Sequence, residues 1–119
     1  MADNHVKPGA VLTFTAPSGG VVSGTLYIIN NTAGVALTTA AEGAKFELAV
    51  EGVFRLPKAP SQAWLQGARI MWDNTANQRA SNATTGGFFP IGIAEGAVAS
   101  GAGDTVGVVR LNGVATVAL

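Results

Sequence analysis

Chemistry needs side chains that exchange protons, attack, or hold an ion, and this sequence offers few of them. Its single histidine is His5, near the amino terminus, and it has no cysteine. A Ser-His-Asp arrangement would have to draw its base from a terminal segment, and thiolate catalysis, thiolate metal binding and disulfides are closed off. If Met1 is removed, His5 becomes the fourth residue rather than the third, which spoils an amino-terminal copper-binding arrangement.

Paired carboxylates are the next option. Glu47 and Glu51 fall on one face of a run that reads as a strand, which sets them roughly 13 Å apart at about 3.3 Å per residue. Glycosidase pairs stand only about 5 to 9.5 Å apart. Asp73, Glu95 and Asp104 adjoin turn residues, where acidic side chains commonly bond local backbone. The segment Gly96-Ala-Val-Ala-Ser-Gly101-Ala102-Gly103 has the outer glycines of a phosphate loop, but Ala102 occupies the lysine position and Gly103 the hydroxyl position. Nor does Gly101-Ala-Gly103, followed by Asp104-Thr-Val106, supply the third glycine of a dinucleotide fingerprint. Asn30-Asn-Thr32 and Asn82-Ala-Thr84 match the glycosylation pattern, yet without a secretory signal they read as polar turns. The residues therefore predict no catalytic, cofactor or metal site, and a protein that is not an enzyme.

The elements that would position these residues read as strands. Short β-branched and apolar runs alternate with Gly, Pro, Asn and Ser clusters, and helical periodicity is nearly absent. Strands are predicted at 11–14, 25–29, 35–38, 45–51, 53–56, 68–72, 89–94, 105–111 and 114–118. In the clearest, Phe46, Leu48 and Val50 share one face and Lys45, Glu47, Ala49 and Glu51 the other. At most one short helix is expected, near 61–66, with Ser61 as its cap and Gly67 after its end. The expected fold class is all-β: a compact β-sandwich or β-barrel of about eight or nine short strands. Residues 1–9 read as a mobile amino-terminal arm and 10–119 as a single β domain.

The halves of the chain also resemble each other. Gly24-Thr-Leu-Tyr-Ile-Ile-Asn-Asn31-Thr32-Ala33 aligns on Gly67-Ala-Arg-Ile-Met-Trp-Asp-Asn74-Thr75-Ala76 at a shift of 43. Gly34-Val-Ala36 then matches Gly92-Ile-Ala94 at a shift of 58, and Glu51-Gly52-Val53 matches Asn112-Gly113-Val114 at a shift of 61. These matches predict an internal duplication whose second copy carries 15 extra residues between Thr75 and Gly92. That insert is polar and glycine-rich, so it is expected to build loop rather than core, and to be functional.

Composition points to surfaces that meet other proteins. Seven basic residues balance seven acidic ones, which removes the field that would steer the chain to nucleic acid or anionic lipid. Lys7, Lys45, Arg55, Lys58, Arg69, Arg79 and Arg110 are scattered along the chain, so neither nucleic acid nor membrane is an expected partner. Only 12% of residues are charged, against about 25% in an average protein. So neutral an exterior is poorly protected against association and suits life inside an assembly. From Pro8 to Ala41 no residue is charged, but polar residues and Gly interrupt the stretch too often for a membrane span. The amino terminus lacks a basic region followed by an apolar run, so a protein made and kept in a cytoplasm is expected.

Several segments then carry a family resemblance in their order and spacing: Lys7-Pro-Gly9-Ala-Val-Leu-Thr13, Thr15-Ala-Pro-Ser-Gly-Gly20, Gly34-Val-Ala36, Glu51-Gly-Val-Phe-Arg-Leu-Pro57-Lys58, Ile70-Met-Trp-Asp73 and Val106-Gly-Val-Val-Arg-Leu111. The sequence resembles a family of phage capsid decoration and stabilisation proteins, formerly labelled recombinase-like. That older label carries no weight here, because the phosphate-loop lysine and hydroxyl are missing. The resemblance implies an all-β oligomer on the outer head surface of a virion, a trimer rather than a dimer, with the major capsid protein and further copies of itself as partners. A head-fibre base or tail component is the alternative. Expected contact residues are Asn4, His5, Val6, Lys7 and Pro8 in the arm, which would add a strand to an edge of the capsid protein. Arg79 in the insert and the Phe88-Phe89-Pro90 corner complete the set.

Overall fold

A computed structural model describes residues 9–119. Among them the chain forms nine antiparallel strands in two sheets and no helix: β1 (Val11–Thr15), β2 (Leu26–Ile29), β3 (Thr32–Ala36), β4 (Lys45–Ala49), β5 (Glu51–Pro57), β6 (Arg69–Asp73), β7 (Arg79–Ser81), β8 (Phe89–Ala94) and β9 (Val106–Asn112). The first sheet has the order β1-β4-β3-β2 and the second β5-β9-β8-β6-β7. The all-β class is as expected, and of the two forms left open, sandwich or barrel, the two separate sheets make it a sandwich.

The two sheets repeat one pairing scheme. Leu26↔Val35 and Tyr27↔Gly34 recur as Arg69↔Ile93 and Ile70↔Gly92, at the shifts of 43 and 58 found in the sequence. Val35↔Ala49 and Ala36↔Leu48 recur as Ile93↔Arg110 and Ala94↔Val109, which extends the shift of 61 through β4 and β9. The pairs from Val11↔Ala49 to Thr15↔Lys45 recur as those from Val53↔Arg110 to Pro57↔Val106, adding β1 and β5 to the repeat. Even the loop bridge Val21↔Ala40 has its counterpart in Trp64↔Val98. The repeating unit is thus four strands, and the chain passes from one copy to the other at Val50, between β4 and β5.

Both faces of the first sheet are covered. Leu26 and Val35, with Ile28 and Ala33, pack towards the second sheet and join a core containing Leu56, Ile70, Trp72, Val109 and Leu111. On its other face Phe46, Leu48 and Val50 form a separate core with Leu12, Phe14, Tyr27 and Ile29, closed over by Ala16, Val21 and Ala40 from its own loops. The face predicted for Phe46, Leu48 and Val50 is buried as expected, but Ala49 on the opposite face is buried too, because the second sheet covers it.

Three local expectations are corrected. Residues 61–66 are not helical: Ser61 takes φ 60, outside the conformation of a helix cap, and the segment is spent on tertiary bonds. Trp64 exchanges backbone bonds with Val98, and Gln62 donates to Ser81 Oγ at 2.8 Å and accepts from the Asn82 N–H at 3.0 Å. Residues 114–118 form no strand but a strap, in which Thr116 donates to the Asn31 and Pro90 carbonyls and Leu119 to the Phe88 carbonyl. The insert is not all loop, since it contributes β7, paired to β6 through Met71↔Ser81, Trp72↔Ala80 and Asp73↔Arg79. Ala80 is fully buried in the main core, and the Ala59 N–H donates to its carbonyl at 2.8 Å.

Candidate docking faces

Asn4, His5, Val6, Lys7 and Pro8 lie outside the described residues. The described chain begins beside Val50, whose N–H donates to the Ala10 carbonyl at 2.9 Å. Val50 also lines a cleft of about 180 Å³ bounded by the β2–β3 turn and the strap. Its lining residues, among them Asn31, Thr32, Gly113 and Val114, include no titratable side chain, so the cleft offers no acid, base or nucleophile.

The remaining sequence-derived contacts fall on the second sheet, Phe88-Phe89-Pro90 at the start of its central strand β8 and Arg79 on its edge strand β7. Phe88, Phe89 and Pro90 are half-buried; Phe89 packs against the main core, and the strap fastens this corner through the Phe88 and Pro90 carbonyls. Arg79 is half-buried opposite Asp73, and its Nε is buried without a hydrogen-bond partner.

Four of the described carboxylates, Glu42, Glu47, Asp73 and Asp104, are occupied locally. Glu47 accepts from Thr13 Oγ1 at 2.8 Å in the first sheet, whereas Glu51 lies in the second, so the two share no site. Asp104 accepts from the Gly101 N–H at 2.9 Å, closing its own turn. Asp73 braces the β6–β7 turn, accepting from the Thr75 N–H at 3.1 Å and from Asn77 Nδ2 at 3.3 Å. Burial alone would raise the Asp73 pKa, but the bonds from Thr75 and Asn77 and the charge of Arg79 outweigh it and hold the carboxyl below its ordinary value. A depressed carboxyl stabilises the fold fully above its unfolded pKa, and this contribution is lost as pH falls through the folded value, below about pH 4. Asp73→Asn should therefore cost about 1–2 kcal/mol at pH 7 through the weakened turn, with the gap to wild type closing as the pH falls below about 4. Urea unfolding at neutral pH and through the acid range checks this, and a gap independent of pH would refute it. Among the described residues no group of three His, Cys, Asp or Glu side chains could hold a metal ion, and no helix is long and apolar enough to cross a membrane.

One face escaped the linear reading. Val53 on β5, Arg110 on β9, Ile93 on β8 and Arg69 on β6 are register partners in one row across the second sheet. All four are exposed, with Val53 at 54% and Ile93 at 41%. Arg55 projects from the same side of β5, and its register partner Val108 is half-buried. Basic residues far apart in sequence are thus gathered on one flat surface. The usable signal was the period-two placement of Val53 and Arg55 and of Val108 and Arg110.

The profile of the family described as phage cement protein matches residues 6–111, almost the whole described chain. Comparison with curated proteins and with solved structures gives no significant match. The match takes in both copies of the four-strand repeat to within one residue of the end of β9. On that breadth of agreement, the chain belongs to the phage cement protein family.

Proposed function

We propose that the protein binds the outer surface of a phage head and stabilises the shell through non-covalent contacts, as an oligomer whose favoured state is a trimer. The observation that carries this reading is the family match over residues 6–111. Physically, cementing needs a rigid body with faces that bury area against neighbours. Two sheets packed around a shared core supply the rigidity, and exposed apolar side chains, such as Leu65 at 74% and Val117 at 67%, supply part of the contact surface. The amino-terminal arm, Asn4 to Pro8, and the Phe88-Phe89-Pro90 corner with Arg79 are further contact segments in this reading. The work asked of such a protein is binding rather than turnover.

The direct test mixes purified protein with expanded, undecorated heads and sediments them. Saturable co-sedimentation at a fixed number of copies per head, with a raised temperature of head disruption, is expected; absence of binding would overturn the reading. Sedimentation equilibrium of the free protein tests the trimer, which a monomer or dimer at micromolar concentration would refute.

A further inference from the structure

The repeat makes the two sheets comparable position by position, and one row behaves in opposite ways. In the first sheet Val11, Ala49, Val35 and Leu26 form a row turned towards the second sheet, with Ala49, Val35 and Leu26 all at most 3% exposed. The same register positions in the second sheet are Val53, Arg110, Ile93 and Arg69, and these face outwards. The fold thus uses this row as a docking face once within the chain and presents it again, unoccupied, on the outside.

The two replacements, Arg110 at the position of Ala49 and Arg69 at that of Leu26, decide what can cover it. The face that accepts Leu26 and Val35 is already filled within each copy, and any apolar cover would bury two guanidinium groups without counter-charges, at a prohibitive desolvation cost. Arg55, Arg69 and Arg110 have no hydrogen-bonded or ion-paired partner among the described residues. Among the described residues, the chain's own carboxylates do not form a complementary face. Glu42 and Glu47 accept bonds from Gly19 and Thr13, Asp73 and Asp104 close their own turns, and Glu51 lies on the arginine face itself, which leaves Glu95 as a single exposed carboxylate against three arginines. Arginines interleaved with Val53 and Ile93 are the residue types that anchor protein interfaces, where a planar guanidinium takes a carboxylate bidentately beside an apolar contact.

We infer that the outer face of the second sheet, through Arg55, Arg69 and Arg110 with Val53 and Ile93 between them, is the surface laid on the shell, and that its partner is a capsid-protein surface presenting carboxylates. This rests on the cement reading above and assigns a face to it. The opposite side of the molecule, where loops carrying Val22 close over the first sheet, then points away from the shell.

The test uses full-length protein and undecorated heads. Arg69→Glu/Arg110→Glu should weaken head binding at least tenfold and flatten its dependence on salt, while Val22→Ser, on the far side, should bind as wild type. Arg69→Gln/Arg110→Gln removes the charges without adding repulsion and should give a smaller loss in the same direction, with unchanged thermal unfolding showing that the fold is intact. Wild-type binding with unaltered binding of both arginine variants would overturn the assignment, as would loss of binding in Val22→Ser instead. A change in the sedimentation of the free arginine variants, with head binding retained, would make this a contact between copies and also overturn it. If wild type itself does not bind heads, the cement reading falls rather than the choice of face.

Discussion

Gly92→Ala should destabilise the protein by about 3 kcal/mol or more, enough to remove much of the stability of a small domain. A Cβ at Gly92 would run into the carbonyl oxygen of Arg110, with the Arg110 carbonyl carbon at 2.9 Å and the Leu111 Cα at 3.2 Å. All three atoms are backbone of β9, the strand paired to β8 through Gly92↔Leu111 and Ile93↔Arg110. Relief therefore requires the ladder itself to part, since no side chain can turn aside. The counterpart in the first half is Gly34, where a Cβ would meet Leu48 Cγ at 2.6 Å and the Ala49 carbonyl at 2.8 Å. Part of that obstruction is a side chain, so Gly34→Ala should cost less, about 1–2 kcal/mol. Urea unfolding of the two variants checks the order, and equal losses would show that β8 and β9 shift more freely than their register implies.

That pair of glycines also shows how far the sequence could be read. Gly34 and Gly92 were aligned by residue identity alone, and with them most of the repeat, because turn glycines and alternating apolar residues leave a local signature. β1 and β5 were found as strands but not as equivalents: Val11–Thr15 and Val53–Pro57 share almost no residues, and only their register against β4 and β9 relates them. β7 was missed because three residues, Arg79-Ala80-Ser81, carry too little pattern, and its burial of Ala80 is a tertiary event. The supposed helix at 61–66 had a cap residue and a terminal glycine, yet the Trp64–Val98 bridge and the Gln62 bonds override such weak local preference. The arginine face was illegible for a related reason, since Arg55, Arg69 and Arg110 become neighbours only once strand order is known.

Duplication also constrains what each half may change. A four-strand unit with two faces can stack indefinitely if both stay apolar, which is an aggregation hazard. Here the second copy keeps the backbone pairings of the row but carries Arg69 and Arg110 where the first has Leu26 and Ala49. The change stops self-stacking and leaves a surface selective for an acidic partner, so one substitution pattern serves solubility and recognition together.

The second large effect concerns the interior, where the copies fill equivalent space differently. In the first half Val21 and Phe46 pack in one core, both at most 3% exposed. Their counterparts are Trp64 and Gly107, and a Cβ on Gly107 would strike the Trp64 ring. The large side chain has changed sides of the same gap. Trp64→Val alone should cost about 3–4 kcal/mol through the void it leaves, and Gly107→Phe alone should be at least as damaging, because the Trp64 ring is 1% exposed and has nowhere to go. Together the two changes reproduce the first half's arrangement and should recover at least half of the summed loss, a coupling of roughly 3 kcal/mol. Recovery stays incomplete for an identifiable reason. Lys58, itself 2% exposed, lays its ammonium 5.6 Å from the Trp64 ring centre while donating to the Ala59 and Asp104 carbonyls, and Trp64→Val takes that ring away. Ala16 stands at the position of Lys58 in the first half, donating its N–H to the Ala44 carbonyl as Lys58 does to that of Thr105. Adding Lys58→Ala to the double variant completes the transplant and should restore a further ~1 kcal/mol, whereas Lys58→Ala in the wild-type background should destabilise by about 2–3 kcal/mol as its buried stem is lost. Urea unfolding of the five variants tests the scheme: strictly additive losses would mean that the two halves, though paired alike, do not share an interchangeable core.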